Sequence, residues 1–348
     1  MESVALTPTT DVSPARILET GMGFFATKTL LAAIKLNLFT ELDGHSLPAE
    51  EVITRLALHR RSALDFLDAL VSLGFLRREG NDRSARYANT RETYAFLRKN
   101  SPDYIGGILE MANDRLYPFW GTLEEALHTG RPQNEVKSSG RPFFEALYAD
   151  PARLQQFLEA MAGLQLANFR ALSEVFDFSP YRTLCDIGGA NGMLSITLAG
   201  KHPHLRCQSL DLPEVEPIAR QTIEKHGLTD RVRTGRLNFM DQDFPTADLI
   251  TMGNILHDWD LPQKRMLIDK AYRALSPDGA LIVIENIIDD ERRANAFGLM
   301  MSLNMLIETE GGFDYSHEDF HNWATEAGFR TTAKVPLTGP ASAVIAFK

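Results

Sequence analysis

The chain is poor in the features that mark several protein classes. Only two of its 348 residues are cysteine, Cys185 and Cys207, both in strand-like runs. That excludes a disulfide-stapled scaffold and suits a reducing compartment. No Cys/His spacing of the metal-binding type occurs, so no metal is expected. Lys and Arg number 36 against 46 acids, a formal charge of −10, so the surplus of cations that general phosphate binding needs is missing and no nucleic-acid partner is expected. No unbroken apolar run reaches about 18 residues, and the opening MESVALTPTTDVSPAR lacks a basic stretch followed by an apolar one. Neither a membrane span nor a secretory leader is expected, and the cytoplasm is the expected location.

What is present is an ordinary globular composition, 44% hydrophobic and 24% charged. The length exceeds the roughly 250 to 300 residues at which a single core stops growing, so two domains are expected, at 1–165 and 166–348. The first half is helical, opening with FFATKTLLAAIKLNLFTEL, where Leu30, Leu31, Ile34, Leu38 and Phe39 share one face. That face needs a partner, and a homodimer is expected to supply it. Two short helices follow, the second with Leu64, Leu67, Leu70 and Val71 on one side, then two short strands around a turn at Gly80 to Asp82. Helix, helix and β-ribbon outline a winged helix, a form that in many proteins reads DNA. Residues 60–99 hold nine Lys or Arg and five acids, and the would-be recognition helix carries Asp65 and Asp68 with no base after Arg61. Packing or dimerisation therefore fits this unit better than DNA binding.

The second half alternates strands (TLCDIG, LRCQSLDL, ADLITMGNIL, GALIVIENII) with helical segments and closes with a helix and two closely spaced strands. Such alternation implies parallel pairing by right-handed crossovers, hence an α/β, Rossmann-like doubly wound sheet. Ligands of such sheets bind beyond the carboxyl ends of the strands, which places one at LCDIGGANG. The spacing there is not the dinucleotide G-x-G-x-x-G. Asp186 precedes Gly188, Gly189 and Gly192, and a carboxylate so placed opposes a pyrophosphate but suits a cationic ligand. Asp211, followed by Leu212 at the end of the next strand, is placed to accept both ribose hydroxyls. Asn238 and Phe239 offer an amide and an aromatic ring for an adenine. Ribose and base without a phosphate site point to S-adenosylmethionine.

These motifs, with NILHDWD at residues 254–260, resemble those of class I S-adenosylmethionine-dependent methyltransferases. Within that class the chain is similar, from about residue 15 to its end, to small-molecule O-methyltransferases with an N-terminal dimerisation domain. The resemblance implies a methyltransferase fold whose mainly α-helical winged-helix domain dimerises and contributes to the acceptor pocket. It implies His257 as general base, since a neutral hydroxyl attacks a sulfonium methyl poorly until its proton is removed, and a histidine's pKa suits that work. It also implies two acids orienting the histidine. Glu285, in LIVIENII, matches the first; a backbone amide is the alternative partner for a carboxylate buried there. Asp314 stands where relatives commonly have Glu, one methylene longer. A Lys that some plant relatives carry four residues before the histidine is Gly253 here. Trp259 either covers the cofactor or supports the core. Family pocket positions fall at Phe157, Met161, Met305 and Thr309, and MANDRLYPFWG adds Asn113, Tyr117 and Trp120 as acceptor candidates.

The acceptor atom stays open at this stage. Related enzymes methylate sulfur, nitrogen or carbon, and a thioether needs no base. A further possibility is a winged-helix regulator that senses the cofactor; the weak recognition helix and the complete histidine and acid set argue against it.

Overall fold

The computed structural model describes residues 12–81, 84–140 and 147–348. The opening MESVALTPTTD, and Asp82 and Arg83 at the expected turn, lie outside the described residues. Contacts divide the chain into units 1–114 and 115–348. The boundary expected after residue 165 falls inside the 25-residue helix Pro151–Val175, and an unbroken helix packed into the second unit cannot serve as a linker.

In the first unit, helices Ala49–Arg55 and Ala63–Ser72 precede strands β2 (Leu76–Glu79) and β3 (Arg86–Asn89), with the short β1 (Leu47–Pro48) on the other side of β3. Leu31, Ile34, Leu38, Phe39, Leu67, Leu70 and Tyr87 form its core, as helical spacing requires. Leu64 departs from the expected face and is 37% exposed. Asp68, an acid on the would-be recognition helix, accepts from the Tyr87 hydroxyl at 2.7 Å and pairs with Arg78 at 3.0 Å. Both it and one of the nearby cations are thus spent inside the unit. Helices Ala15–Gly21 and Gly23–Lys35 leave Ile17, Leu18, Met22, Phe24 and Phe25 exposed. The stretch Ala15–Lys35 is long and apolar enough, by length and composition, to cross a membrane; its scattered charges, Arg16, Glu19 and Lys28, hid this from a search for unbroken runs.

The second unit is built on β4 (Thr183–Ile187), β5 (Arg206–Asp211), β6 (Val232–Arg236), β7 (Ala247–Gly253), β8 (Leu275–Glu285), β9 (Thr331–Pro336) and β10 (Ser342–Phe347). They order as β6-β5-β4-β7-β8-β10-β9. The first five are mutually parallel, and β10 runs antiparallel to β8 and β9. The chain thus steps outward from β4 through β5 to β6, then returns to β7 on the other side of β4. That reversal is the switch point where α/β sheets bind ligands.

Alternate residues of the central strands feed two cores. Cys185, Ile187, Ile250, Met252, Leu281 and Val283 pack on one face with helices Leu261–Ala274 and His317–Ala327. Leu184, Leu249, Ile282 and Ile284 pack on the other with Pro151–Val175 and Met193–Lys201. Burial on both faces explains why these strands read as continuous apolar runs. Strand β6, VRTGR, is not among the four apolar runs read from the sequence: it is the sheet edge, and only Val232 is buried.

Candidate active site

The glycine turn follows β4 at the switch point. Gly188 and Gly189 both donate their N–H to the Leu210 carbonyl, at 2.9 and 3.1 Å, drawing the turn onto the end of β5. Gly188 has φ +67°, and a Cβ there would lie 2.3 Å from Ile255 Cδ1. At Gly189 a Cβ would lie 2.2 Å from Ser209 Oγ. Gly192, φ +82°, caps helix Met193–Lys201. The glycines therefore permit close packing of this backbone as well as an approach by a ligand.

Asp186 sits beneath the turn, 2% exposed. It accepts from Thr251 Oγ at 2.8 Å, directly across on β7, and from Ser195 Oγ at 3.4 Å. Burial pushes its carboxyl up to about 7, against those two bonds. The residue is thus a clasp between two strands and the following helix as well as a wall of the turn's small inner pocket. Asp211 is arranged differently. Its Oδ2 accepts from Ala190 N–H at 2.9 Å and its Oδ1 from Leu212 N–H at 2.7 Å, which fixes the carboxylate at the pocket edge. Burial raises it to about 6, against those two amides.

The pocket encloses about 800 Å³, part of it open to solvent. Gly188, Asp211, Leu212, Asn238 and Phe239 line it, as the sequence leads one to expect, and so do Phe157 and Met161 from helix Pro151–Val175. Asn238 spends much of its amide locally, donating to Asp241 at 2.6 Å and accepting from Met240 N–H at 3.1 Å. Sequence reasoning missed Tyr148, Leu158, Ala190, Met240, Asn254, Ile255 and Asp258. Of these, Asp258 had a signal, its place beside the histidine in HDW. The apolar ones had none, because nothing in a single sequence separates a pocket-facing Ile from a core one.

The residues fit the expected cofactor. Asn254, at φ +53°, lines both the main and the inner pocket, and its buried Oδ1 has no protein partner among the described residues. A buried amide oxygen of this kind calls for a donor from a ligand. Residues Gly188–Ala190 and Asn254 thus border the part that would hold the amino-acid end, while Asp211, Asn238, Phe239 and Met240 border the part for ribose and base.

His257 lies on the short turn Leu256–Asp258 just after β7, 5% exposed, immediately behind the pocket-lining Asp258 and Trp259. Its Nε2 is 3.6 Å from Asp258 Oδ1 and its Nδ1 is 3.5 Å from Asp314 Oδ1. Both are ion-pair separations beyond ordinary hydrogen-bond length. The shorter Asp314 therefore does reach the imidazole, loosely. Glu285 corrects the expectation drawn from the resemblance: its Oε1 accepts from the His257 main-chain N–H at 3.1 Å and not from the ring. It fixes the turn that carries the ring.

Two glycines make the approach of Asp314 possible. A Cβ on Gly312 would lie 2.6 Å from the His257 carbonyl oxygen, and one on Gly311 would lie 2.9 Å from Asp260 Cβ. Burial disfavours the charged imidazole, but Asp258, then Asp314 and Glu285, outweigh it and push the ring up to about 10. The same burial lifts Asp258 to about 6, against the pull of His257.

Tyr117, Trp120, Met305 and Thr309 do not line this pocket. Thr309 shapes the Gly-Gly turn, donating to the Met305 carbonyl at 2.9 Å and accepting from Gly312 N–H at 2.8 Å. Met305 is buried in helix Ala296–Glu308, and Trp120 Nε1 donates to Asn304 at 2.9 Å. Tyr117 begins the short helix that carries Trp120. Asn113 lies in the first unit, bonded to Lys28 and Asp114.

Comparison with known proteins agrees with this geometry. Residues 120–330 match the model of the O-methyltransferase domain, and residues 18–99 that of the O-methyltransferase dimerisation domain. The chain belongs to the S-adenosylmethionine-dependent O-methyltransferases. It is 39% identical over 344 residues to the tetracenomycin polyketide synthesis 8-O-methyl transferase of Streptomyces glaucescens, covering 99% of each chain. It is 32% identical to an N,N-dimethyltransferase of Streptomyces rimosus, covering 93% of each. The solved structure of human N-acetylserotonin methyltransferase in complex with its cofactor superimposes with a TM-score of 0.89 at 27% identity, covering 98% of this chain and 99% of that one. This O-methyltransferase thus uses S-adenosylmethionine and a small-molecule acceptor.

Proposed function

We propose that the enzyme methylates a hydroxyl of an aromatic, polyketide-type small molecule, with His257 as the base that takes the hydroxyl proton. The observation that carries this reading is the buried imidazole held between Asp314 and the pocket-lining Asp258. When bound, the cofactor supplies an electrophilic methyl group on a sulfonium. Asp211 would hold its ribose side, and the Gly188–Ala190 backbone with Asn254 its amino-acid end. Phe239 and Trp259, edge to face with ring centroids 5.8 Å apart, wall the pocket against water.

His257 accepts the acceptor's proton at Nε2, Asp314 stabilises the imidazolium through Nδ1, and Glu285 keeps the turn in place. Tyr148, Phe157 and Met161 give the acceptor an apolar, aromatic surround, in keeping with the polyketide named for the Streptomyces glaucescens relative. The Streptomyces rimosus relative favours one second reading, an amine acceptor. Labelled cofactor offered with polycyclic phenols, aromatic amines, thioethers and simple phenols separates the two. Label is expected in the polycyclic phenol as a methyl ether. Exclusive labelling of the amine or thioether would overturn the reading.

The same proposal includes a homodimer in the cytoplasm with no nucleic-acid partner. Support for the dimer comes from the dimerisation-domain match and from the exposed Ile17, Leu18, Met22, Phe24 and Phe25, more apolar surface than a small helical unit usually leaves to water. The two free, buried cysteines suit a reducing compartment. Deleting residues 1–40 is expected to give aggregated or inactive protein on size-exclusion chromatography and assay. A monodisperse, fully active monomer would count against the dimer.

A further inference from the structure

Helix Leu261–Ala274 begins just after the histidine turn, capped by Asp260, and its inward face carries a lysine among apolar residues. Lys264 is fully buried, with 0% exposure. A buried ammonium is costly unless it is paired, so its surroundings need explaining. Its Nζ donates to the carbonyl of Trp259, two residues after His257. It also lies 3.7 Å from the centroid of the Phe313 ring, one residue before Asp314, and 5.8 Å from that of Tyr315. One cation therefore ties together the two segments that carry the imidazole and its Nδ1 partner.

The groups around the histidine turn are Asp258 on the turn itself, Glu285 at the end of β8, Asp314 and Tyr315 on the segment after the Gly-Gly turn, and Lys264 on the helix, which meets the Trp259 carbonyl and the Phe313 and Tyr315 rings. Two carboxylates thus flank the imidazole while a third holds its main chain, and Lys264 is the one lysine or arginine among these groups. Left to themselves the acids would hold the proton on the ring, which is the wrong state for a base.

We propose that Lys264 is a positioning residue whose buried charge offsets Asp258, Glu285 and Asp314 and so lowers the pH at which His257 gives up its proton. Burial pulls the lysine down to about 8, and Glu285, Asp314, Asp258 and Asp260 act in the opposite sense, so the ammonium and the acids support one another's charges. The proposal rests on His257 acting as the base.

The test compares wild type with Lys264→Met and Lys264→Gln. The glutamine keeps a donor for the Trp259 carbonyl but carries no charge. Cofactor affinity is measured by calorimetry, and the pH profile of single-turnover methyl transfer by product quantification. With the cation gone, the imidazolium is more stable. The acid limb is expected to move up by about one pH unit or more, the scale of a nearby charge, while cofactor affinity stays within about threefold and Lys264→Arg restores most of the profile. A folded neutral variant whose acid limb coincides with wild type would overturn the proposal. If one neutral variant fails to fold, the other is read; failure of both to fold would also overturn it, since the lysine would then serve folding alone. Failure of the base assignment is distinguishable: wild type would show no acid limb and His257→Gln would remain active.

Discussion

His257→Gln is expected to cut turnover with a hydroxyl acceptor by roughly 10² to 10⁴, the usual worth of a positioned general base. Its effect on cofactor affinity should be small. The geometry explains why the two parameters separate. The His257 main-chain N–H that holds the turn to Glu285 survives the substitution, and the side chain stands behind Asp258 and Trp259 rather than in the cofactor pocket wall. What is lost is a group that can take a proton, because the glutamine amide cannot. Rapid-quench assays at saturating cofactor, with calorimetry alongside, measure the two effects. Near-normal turnover in a folded variant would remove His257 from the mechanism and favour an acceptor that has no proton to lose.

Asp211→Ala is expected to act on the other parameter. The carboxylate accepts from two backbone amides and faces the pocket with what remains of its acceptor capacity. Removing hydrogen bonds to a charged group costs about 1.5 to 3 kcal/mol, roughly a 10- to 150-fold loss of cofactor affinity. The amides of Ala190 and Leu212 also lose their acceptor, which loosens the turn itself. Because Asp211 is remote in role from proton transfer, turnover at saturating cofactor should fall far less than affinity. Unchanged affinity by calorimetry would show that ribose is held elsewhere.

The parts of this enzyme legible in sequence were those governed by short-range rules. Period-two and continuous apolar runs located β4, β5, β7 and β8, because strands buried on both faces carry their environment in their composition. Strand β6 was invisible because an edge strand of Arg, Thr and Gly owes its form to its neighbour's hydrogen bonds. The glycine turn, Asp211 and the HDW segment were found because their backbone and charge requirements are local.

The sequence singles out Glu285 but leaves open whether it meets the ring or a backbone amide, and here it meets the amide. Which atom of a residue meets a given carboxylate depends on the angle at which β8 passes the turn, and spacing does not encode that. Asp258 and Asn254 carry little signal of their own in the sequence, the first because it stands beside the histidine, the second because its orphaned oxygen appears only once the chain is folded. Lys264 looked like any helical lysine; only its burial against Phe313 sets it apart. Met305 and Thr309 come from the resemblance and Tyr117 and Trp120 from an aromatic stretch, and Trp120 and Thr309 have local hydrogen-bonding roles here.

The central claim is that a titrating histidine, biased by neighbouring acids, drives methylation of oxygen. Its most direct test is the pH dependence of single-turnover methyl transfer by the wild-type enzyme, using a hydroxyl acceptor that itself ionises only above about pH 10. Asp258 and Asp314 raise the His257 pKa above the ordinary value of about 6.5, and the base works only when neutral. The rate should therefore be low in acid and rise with pH, with its midpoint above that ordinary value and absent from His257→Gln. A flat profile, or a midpoint below about 6 set against that reference, would contradict the claim.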